Sequence, residues 1–447
     1  MSGGRRAGRA AGLFAERALM LAVAASFGWL LWSFHRNGYL PQPFIIDTND
    51  TFMDWFNTAY WANNPGAYDV WRTVYPPLSF LFLKLFSLPG CYLDSPFQAR
   101  DCDWFGKAAI LASYALGVAL AWIAFRRADR ATAPMRIIAF AIGLPMLFAL
   151  ERGNLILPCM ACFVIAHGDI VRSKAWRGLA AALTINFKPY LLLPVLALAF
   201  KRRWRSLELA GIATLLVYLL TYAFVGAGSP IEIVDNMRNW VVTFVGGQVW
   251  EQIYYSTSYV TLLPIRTTPI PILDHIPSRT VETILWAVPI LIRASQAAGL
   301  LCLAGAWLQP RALSTQRIAA LLMAMSLVSQ SPGGYTQAFL IFLVFLEPWR
   351  RPGPIVAIVA AYLLSISADW ILSPFPEIAS KSWLGGRPVT GLFGLSVGQF
   401  ARPGLILLIL WALAADSLWL IARAHRGHRP MIAIGPRTWP ARPAVAR

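Results

Sequence analysis

Apolar runs recur along the whole chain, each bounded by polar or basic residues. The runs at 17–32, 106–125, 208–225, 281–307, 355–372 and 403–421 are long enough to predict transmembrane helices. A shorter run, 75–89 (YPPLSFLFLKLFSLP), reaches only about two-thirds of a bilayer and predicts an interfacial or re-entrant helix. Three further stretches read as hairpins with basic residues at both feet and a polar apex. The first, 136–172, turns at Glu151–Asn154 (ERGN), the second, 177–201, at Asn186–Tyr190 (NFKPY), and the third, 317–350, at Ser329–Gln337 (SQSPGGYTQ). Arms of about nine to fifteen residues span roughly 15 to 22 Å at helical rise, so the apices are predicted to stop within or just beyond the membrane. Polar backbone persists at that depth only against protein or a water-filled cavity, and the three apices are therefore expected to line one cavity. The pattern predicts an all-α polytopic membrane protein, a bundle of about twelve transmembrane or half-spanning helices with a long first outer loop.

Composition agrees, because a chain that is 57% hydrophobic and 13% charged carries more apolar surface than soluble domains of its length can bury. The formal net charge of +18 would fit a nucleic-acid partner if it were clustered, but the basic residues punctuate the apolar runs instead. Arg5, Arg6 and Arg9, Arg126, Arg127 and Arg130, Arg172 and Lys174, Lys201 to Arg205, Arg350 and Arg351, and the arginines after 422 follow the positive-inside pattern. No nucleic-acid partner is expected. Residues 1–16 and 424–447 are predicted cytoplasmic tails around an integral membrane domain, 17–423, with outer loops at about 35–105, 226–280 and 373–402. Cys91 and Cys102 fall in the first of these loops, where an oxidising compartment permits either a bridge or two free thiols. Cys159 and Cys162 resemble a CxxC pair but lie in an apolar run without metal-binding neighbours, and read as helix packing.

The first outer loop holds the candidate chemistry. Its segment DTNDTFMDWFNTAYWANNPGAYDVWRTVYPP mixes carboxylates with tryptophan, tyrosine and asparagine, the side chains on which sugar rings stack and hydrogen-bond. A carboxylate in a partly dehydrated cleft gains basicity toward a hydroxyl nucleophile, and Asp47, Asp50 and Asp54 are the candidates. Arg152 and Lys188, at two hairpin apices, each cost about 2.5 to 3.5 kcal/mol near mid-membrane, which marks them as functional candidates. Asp101-Cys102-Asp103 imitates a metal-binding DxD motif but reads as structural in an acidic loop. The five histidines have no ligand spacing, and P-loop, GxSxG and HExxH motifs are absent, which leaves ATP hydrolysis, serine hydrolysis and zinc proteolysis without support.

Taken in order, Gly66-Ala67-Tyr68-Asp69, Tyr75-Pro76-Pro77-Leu78, Arg152-Gly153-Asn154-Leu155 and Lys188-Pro189-Tyr190 ahead of KRRWR make residues 40–350 resemble glycosyltransferase family 87. The resemblance implies a GT-C fold and an inverting transfer of mannose or another hexose from a polyprenyl-phosphate sugar donor to a lipid or glycan acceptor. It implies an aspartate base in the first outer loop, by position Asp54, with Asp47 and Asp50 as alternatives. It also implies a multi-pass protein of the bacterial inner membrane, with both termini cytoplasmic and the active site facing outward. Family members often carry SPxSWxH late in the chain; here Ser331-Pro332-Gly333-Gly334-Tyr335-Thr336-Gln337 places Gln337 where the histidine stands.

On this reading Lys188 and Arg152 contact the donor phosphate, while the prenyl chain lies among membrane lipid. Asn154, Tyr75, Tyr190, Gln252, Tyr255, Tyr335 and Gln337, with Tyr254, are candidates for orienting sugar or acceptor. A monophosphate leaving group needs no obligatory divalent metal, so no cofactor is expected. Two rivals remain: a flippase for lipid-linked sugars, and a polysaccharide polymerase or ligase using Arg238, Arg266 and Arg279 on a pyrophosphate donor.

Overall fold

The computed structural model describes residues 2–44, 48–225, 231–246, 255–263, 266, 276–374 and 377–427. The first apolar run forms the middle of a longer helix, α1 (Ser2–Asn37). The polar stretch after it contains three short helices, α2 (Met53–Asn63), α3 (Pro77–Leu85) and α4 (Pro96–Cys102). Pro77 suits the first turn of α3, where its missing N–H has no intrahelical role. At nine residues this helix is too short to span, as its sequence predicts. The next helix, α5 (Trp104–Ala128), starts where the Asp103 carboxylate accepts the Gly106 N–H at 2.9 Å, an N-cap bond.

All three hairpins form. The rising arm of the first is split into α6 (Ala133–Ala141) and α7 (Leu144–Arg152), and α8 (Ile156–His167) descends. Pro145 explains the split, since its ring clashes with the carbonyl four residues earlier and it has no N–H to bond it. The Leu144 N–H turns outward to Ser365 O, 3.0 Å away. In the second hairpin α9 (Lys174–Phe187) ends at Lys188, before Pro189. The return is broken into a 3-10 turn (Pro189–Leu191), α10 (Leu192–Val195) and α11 (Ala197–Phe200). After α12 (Trp204–Val225), α13 (Glu232–Gly246) and α14 (Ser278–Leu308) comes the third hairpin. Its arms are α15 (Thr315–Ser329) and α16 (Gln337–Phe345), joined through a 3-10 turn (Gly334–Thr336). Two further helices, α17 (Pro352–Leu364) and α18 (Val397–His425), complete the bundle.

Among the described residues six helical stretches are long and apolar enough to cross a membrane: Ala10–Asn37, Trp104–Ala128, Ala133–Arg152 (α6 and α7 taken together), Trp204–Val225, Ser278–Leu308 and Val397–His425. Five shorter apolar helices accompany them. Burial separates centre from rim. Every residue of α16 is buried, its Phe339 and Phe342 meeting Phe163, Phe125 and Phe140, so this helix is apolar all round because it is the core. By contrast, α12 exposes Ile212, Leu215, Leu216, Leu219, Leu220 and Phe224. So much apolar surface is tolerable only against lipid, and the chain is a membrane protein.

The arms are tied at their basic feet by buried ion pairs. Arg136 of α6 meets both oxygens of Glu16 on α1 (2.7 and 2.9 Å), and the Tyr362 hydroxyl donates to the same carboxylate. Arg317 of α15 makes a two-pronged contact with Glu347 (2.6 Å each) and reaches Asp416 of α18 at 2.8 Å, which also pairs with Arg351.

Two expectations are corrected. The span expected at 355–372 stops at Leu364. The last loop, read as part of an all-α protein, carries two small antiparallel ladders. β1 (Ile371–Pro374) pairs with β4 (Gly394–Ser396), and between them β2 (Ile378–Ser382) pairs with β3 (Arg387–Gly391), Ile378 opposite Gly391 and Ser382 opposite Arg387. With Ser, Lys, Arg, Thr and Gly throughout, these strands lack the apolar alternation by which a sheet announces itself.

Candidate active site

The loop before α2 and the apex of the first hairpin interlock. Gly153 closes α7 in the left-handed region (φ 61), and a Cβ there would come within 3.1 Å of Phe52 Cα, so only glycine fits both the turn and the approach. Phe52 is itself left-handed (φ 65), at a cost of about 1–2 kcal/mol for a residue with a Cβ. Its N–H is held by Glu151 O at 2.7 Å, and the neighbouring Thr51 hydroxyl donates to Glu151 Oε1 at 3.0 Å.

This interlock places Asp54, in the first turn of α2, against the apex. Arg152 Nη2 lies 3.0 Å from Asp54 Oδ1 and 2.5 Å from Asp50 Oδ2. The Asn154 amide donates to Asp54 Oδ2 at 2.6 Å, and its orientation is fixed because its carbonyl oxygen accepts the Ile156 N–H. Both oxygens of the Asp54 carboxylate are thus held by apex residues, yet its side chain remains about one-fifth exposed.

The third apex joins from the other side. Tyr335 stacks on Phe148 of α7 (5.9 Å, 23°) and turns its hydroxyl toward Asn154, Asp54 and Arg152. Gly334 permits this turn, since a Cβ there would collide with the Tyr255 ring. Tyr255, buried edge-on against Phe148, also lies under the Arg402 guanidinium, which Asp369 holds at 3.1 Å. The second apex contributes Lys188, whose ammonium sits 4.6 Å from the Tyr75 ring centroid, and Tyr190, whose hydroxyl is buried.

Several buried polar atoms in this region lack a hydrogen-bond partner among the described residues: Arg152 Nη1, Glu151 Oε2, the Tyr190 and Tyr255 hydroxyls, and both amide atoms of Gln337. Folded proteins satisfy nearly all such groups, so this set at the converging apices marks donors and acceptors able to bond a polar ligand. Lys188 is likewise buried, with no carboxylate paired to it among the described residues.

The structure therefore brings together Asp54, Asp50, Arg152, Asn154, Tyr75, Tyr190, Tyr335 and Lys188, with Tyr255 behind them. Gln337 is completely buried just after the third apex. Asp47, Gln252 and Tyr254 lie outside the described residues. Arg238 and Arg279 are exposed, and Arg266 is taken by Glu282. Cys91 and Cys102 form a disulfide, and Cys159 and Cys162 are free and packed among helices. Asp103 is structural, capping α5 and accepting from the Tyr92 hydroxyl at 2.7 Å. Burial and that bond hold the Tyr92 hydroxyl well above the usual tyrosine range, so it stays a donor.

Sequence reading missed Glu151 and Thr51, which knit loop to apex, and Arg100, Trp383, Arg402 and Asp369, which brace the site from behind. An arginine just ahead of the last span and an aspartate inside the span expected at 355–372 were the available signals for Arg402 and Asp369.

A helical membrane bundle that gathers a held carboxylate, an unpaired ammonium and sugar-compatible aromatics at half-span apices has the parts of a membrane-embedded group transferase. The sequence model of glycosyltransferase family 87 matches residues 73–330, more than half of the chain, and the chain belongs to that family. It is a glycosyltransferase. No curated protein and no solved structure matches it. The matched region contains Tyr75, Arg152, Asn154, Lys188, Tyr190 and Tyr255; Asp54 precedes it, and Tyr335 and Gln337 follow.

Proposed function

We propose that the chain transfers a hexose from a polyprenyl-phosphate donor to a lipid or glycan acceptor, with inversion and with Asp54 as base. Asp54 takes the proton of the acceptor hydroxyl, whose oxygen attacks the anomeric carbon from the face opposite the phosphate. The bond from that carbon to the phosphate oxygen breaks, and polyprenyl phosphate leaves. Lys188, with the free Nη1 of Arg152, neutralises charge building on the departing oxygen. Arg152 Nη2 and Asn154 hold the carboxylate in one orientation, so that it is aimed before substrate arrives. Tyr75, Tyr190, Tyr335 and Gln337 offer hydroxyl, amide and ring surfaces to the sugar.

The observation that carries this reading is the division of charge. Arg152 is engaged with Asp50 and Asp54, whereas Lys188 stands near the same cluster without a carboxylate partner among the described residues. A base and a phosphate contact are thereby kept apart, as a single displacement requires. The cellular setting proposed is a bacterial inner membrane, with both termini cytoplasmic and the apices outward.

Asp54→Asn tests the base. Purified protein incubated with a panel of polyprenyl-phosphate sugars and native lipid extract is expected to lose at least about 100-fold in turnover on this substitution while still binding donor. Unchanged product formation would remove Asp54 from the role.

A further inference from the structure

The short hairpin of β2 and β3 lies beyond the region matched to the family, yet it makes specific contacts to the loop that carries Asp54. The Trp383 N–H donates to Thr48 O at 3.1 Å, and the Thr48 hydroxyl donates to Ser380 Oγ at 2.9 Å and Lys381 O at 3.1 Å. The Trp383 ring meets Phe52 edge-on at 5.5 Å. Arg100 of α4 supports the same ring at 4.8 Å, and the indole N–H donates to Asp101 at 2.8 Å. Arg100 is almost fully buried and donates to the carbonyls of Asn49 and Thr51. Residues 48–52 are therefore gripped by the hairpin and α4 on one side and by Glu151 on the other.

We propose that the Ile378–Gly391 hairpin is a clamp for the reaction, with Trp383 a positioning residue that fixes Phe52 and, through it, the placement of Asp54. The left-handed Phe52 would relax to ordinary backbone if its side chain were released. Because Asp54 lies two residues further on, that relaxation would swing its carboxylate away from Arg152 and Asn154. This inference rests on Asp54 being the base, and its test separates the two ideas.

In the full-length protein, Trp383→Ala is expected to lower kcat roughly 10- to 100-fold, the scale of an ångström-sized misplacement, with donor and acceptor KM changed less than about threefold. Trp383→Phe, which keeps a ring between Phe52 and Arg100, should recover most of that loss. Hydrogen exchange of a peptide covering residues 48–56 reads the clamp without activity: Trp383→Ala should reduce Phe52 amide protection at least about tenfold, and Trp383→Phe should not. Thr48→Val, a milder change, should shift both readouts the same way. Wild-type kcat in Trp383→Ala, a loss confined to KM, or a lost kcat with Phe52 protection unchanged would each overturn the clamp. Turnover by Asp54→Asn would instead remove the base assignment, and the exchange result would still decide the clamp.

Discussion

A buried ammonium without a carboxylate beside it destabilises the fold that holds it, and among the described residues Lys188 is such a group, only 8% exposed and resting on the Tyr75 ring. The ring face offsets part of the lost hydration, about 2 kcal/mol at a desolvated site, and cannot replace a counter-ion. A residue that weakens the resting protein is explained if an anion arrives to pair with it. Lys188→Met keeps the length and apolar stem while removing the charge. It is expected to stabilise the unliganded protein by on the order of 1 kcal/mol and to weaken donor binding roughly 10- to 100-fold, the worth of one charge-assisted hydrogen bond. Thermal unfolding in detergent and a donor titration check the two halves. A lowered melting temperature would mean that Lys188 has a structural partner and would count against the phosphate role. Gln337 makes a neutral counterpart, because its buried amide has neither donor nor acceptor satisfied among the described residues.

Helices this short need fixing at their feet, and the ion pairs there supply it. Glu16 joins α1 to α6, while Arg317, Glu347, Asp416 and Arg351 join the third hairpin to α18. Breaking one partner strands a buried charge, so Glu16→Gln is expected to cost about 3–5 kcal/mol, whereas Glu16→Met with Arg136→Leu should recover much of it. Thermal melts of the single and double variants decide this, and equal losses would mean that the pair acts by shape rather than charge. The hairpins were legible in sequence because apolar arms with basic feet are local patterns. Their apices were legible as site candidates because Arg152 and Lys188 are out of place in a membrane. What stayed hidden was pairing across the chain. Glu16 looked like part of a polar tail, Asp369 like a residue of the span expected at 355–372, and Arg402 and 378–391 like outer loop, because no periodicity records a contact between residues far apart in the chain. Within 35–105 the short helix expected at 75–89 forms as α3, but α2 was missed for a related reason: it mixes buried Trp55 and Phe56 with Asp54 and Asn63, and function disturbs the apolar period that would have announced it.

At the scale of the whole molecule, basic residues and the first outer loop's aspartates alternate along the chain with the spans. Along the chain Arg126, Arg127, Arg172, Lys174, Lys201 to Arg205, Arg350, Arg351 and Arg423 gather at one set of helix ends, and Asp50, Asp54, Asp69 and Asp94 gather in the loop that joins the first two long spans. Insertion machinery retains positive loops in the cytoplasm, so this asymmetry predicts orientation, and orientation decides which donors can reach the site. A site facing the cytoplasm would meet nucleotide sugars, whereas one facing outward depends on sugars carried across on lipid. Cysteine labelling separates these cases. The native free cysteines are suited to it, Cys159 and Cys302 being buried and Cys162 half-buried among helices, so background should be low. Leu384→Cys, at the exposed tip of the β2–β3 hairpin, is expected to react with a membrane-impermeant maleimide on intact cells, and Arg426→Cys only after permeabilisation or in inverted vesicles. The reverse pattern would place Asp54 and Lys188 on the cytoplasmic side and make a nucleotide sugar the donor to test first. The expected pattern would leave the lipid-linked donor as the one chemically accessible to the apices, and it would do so without relying on turnover.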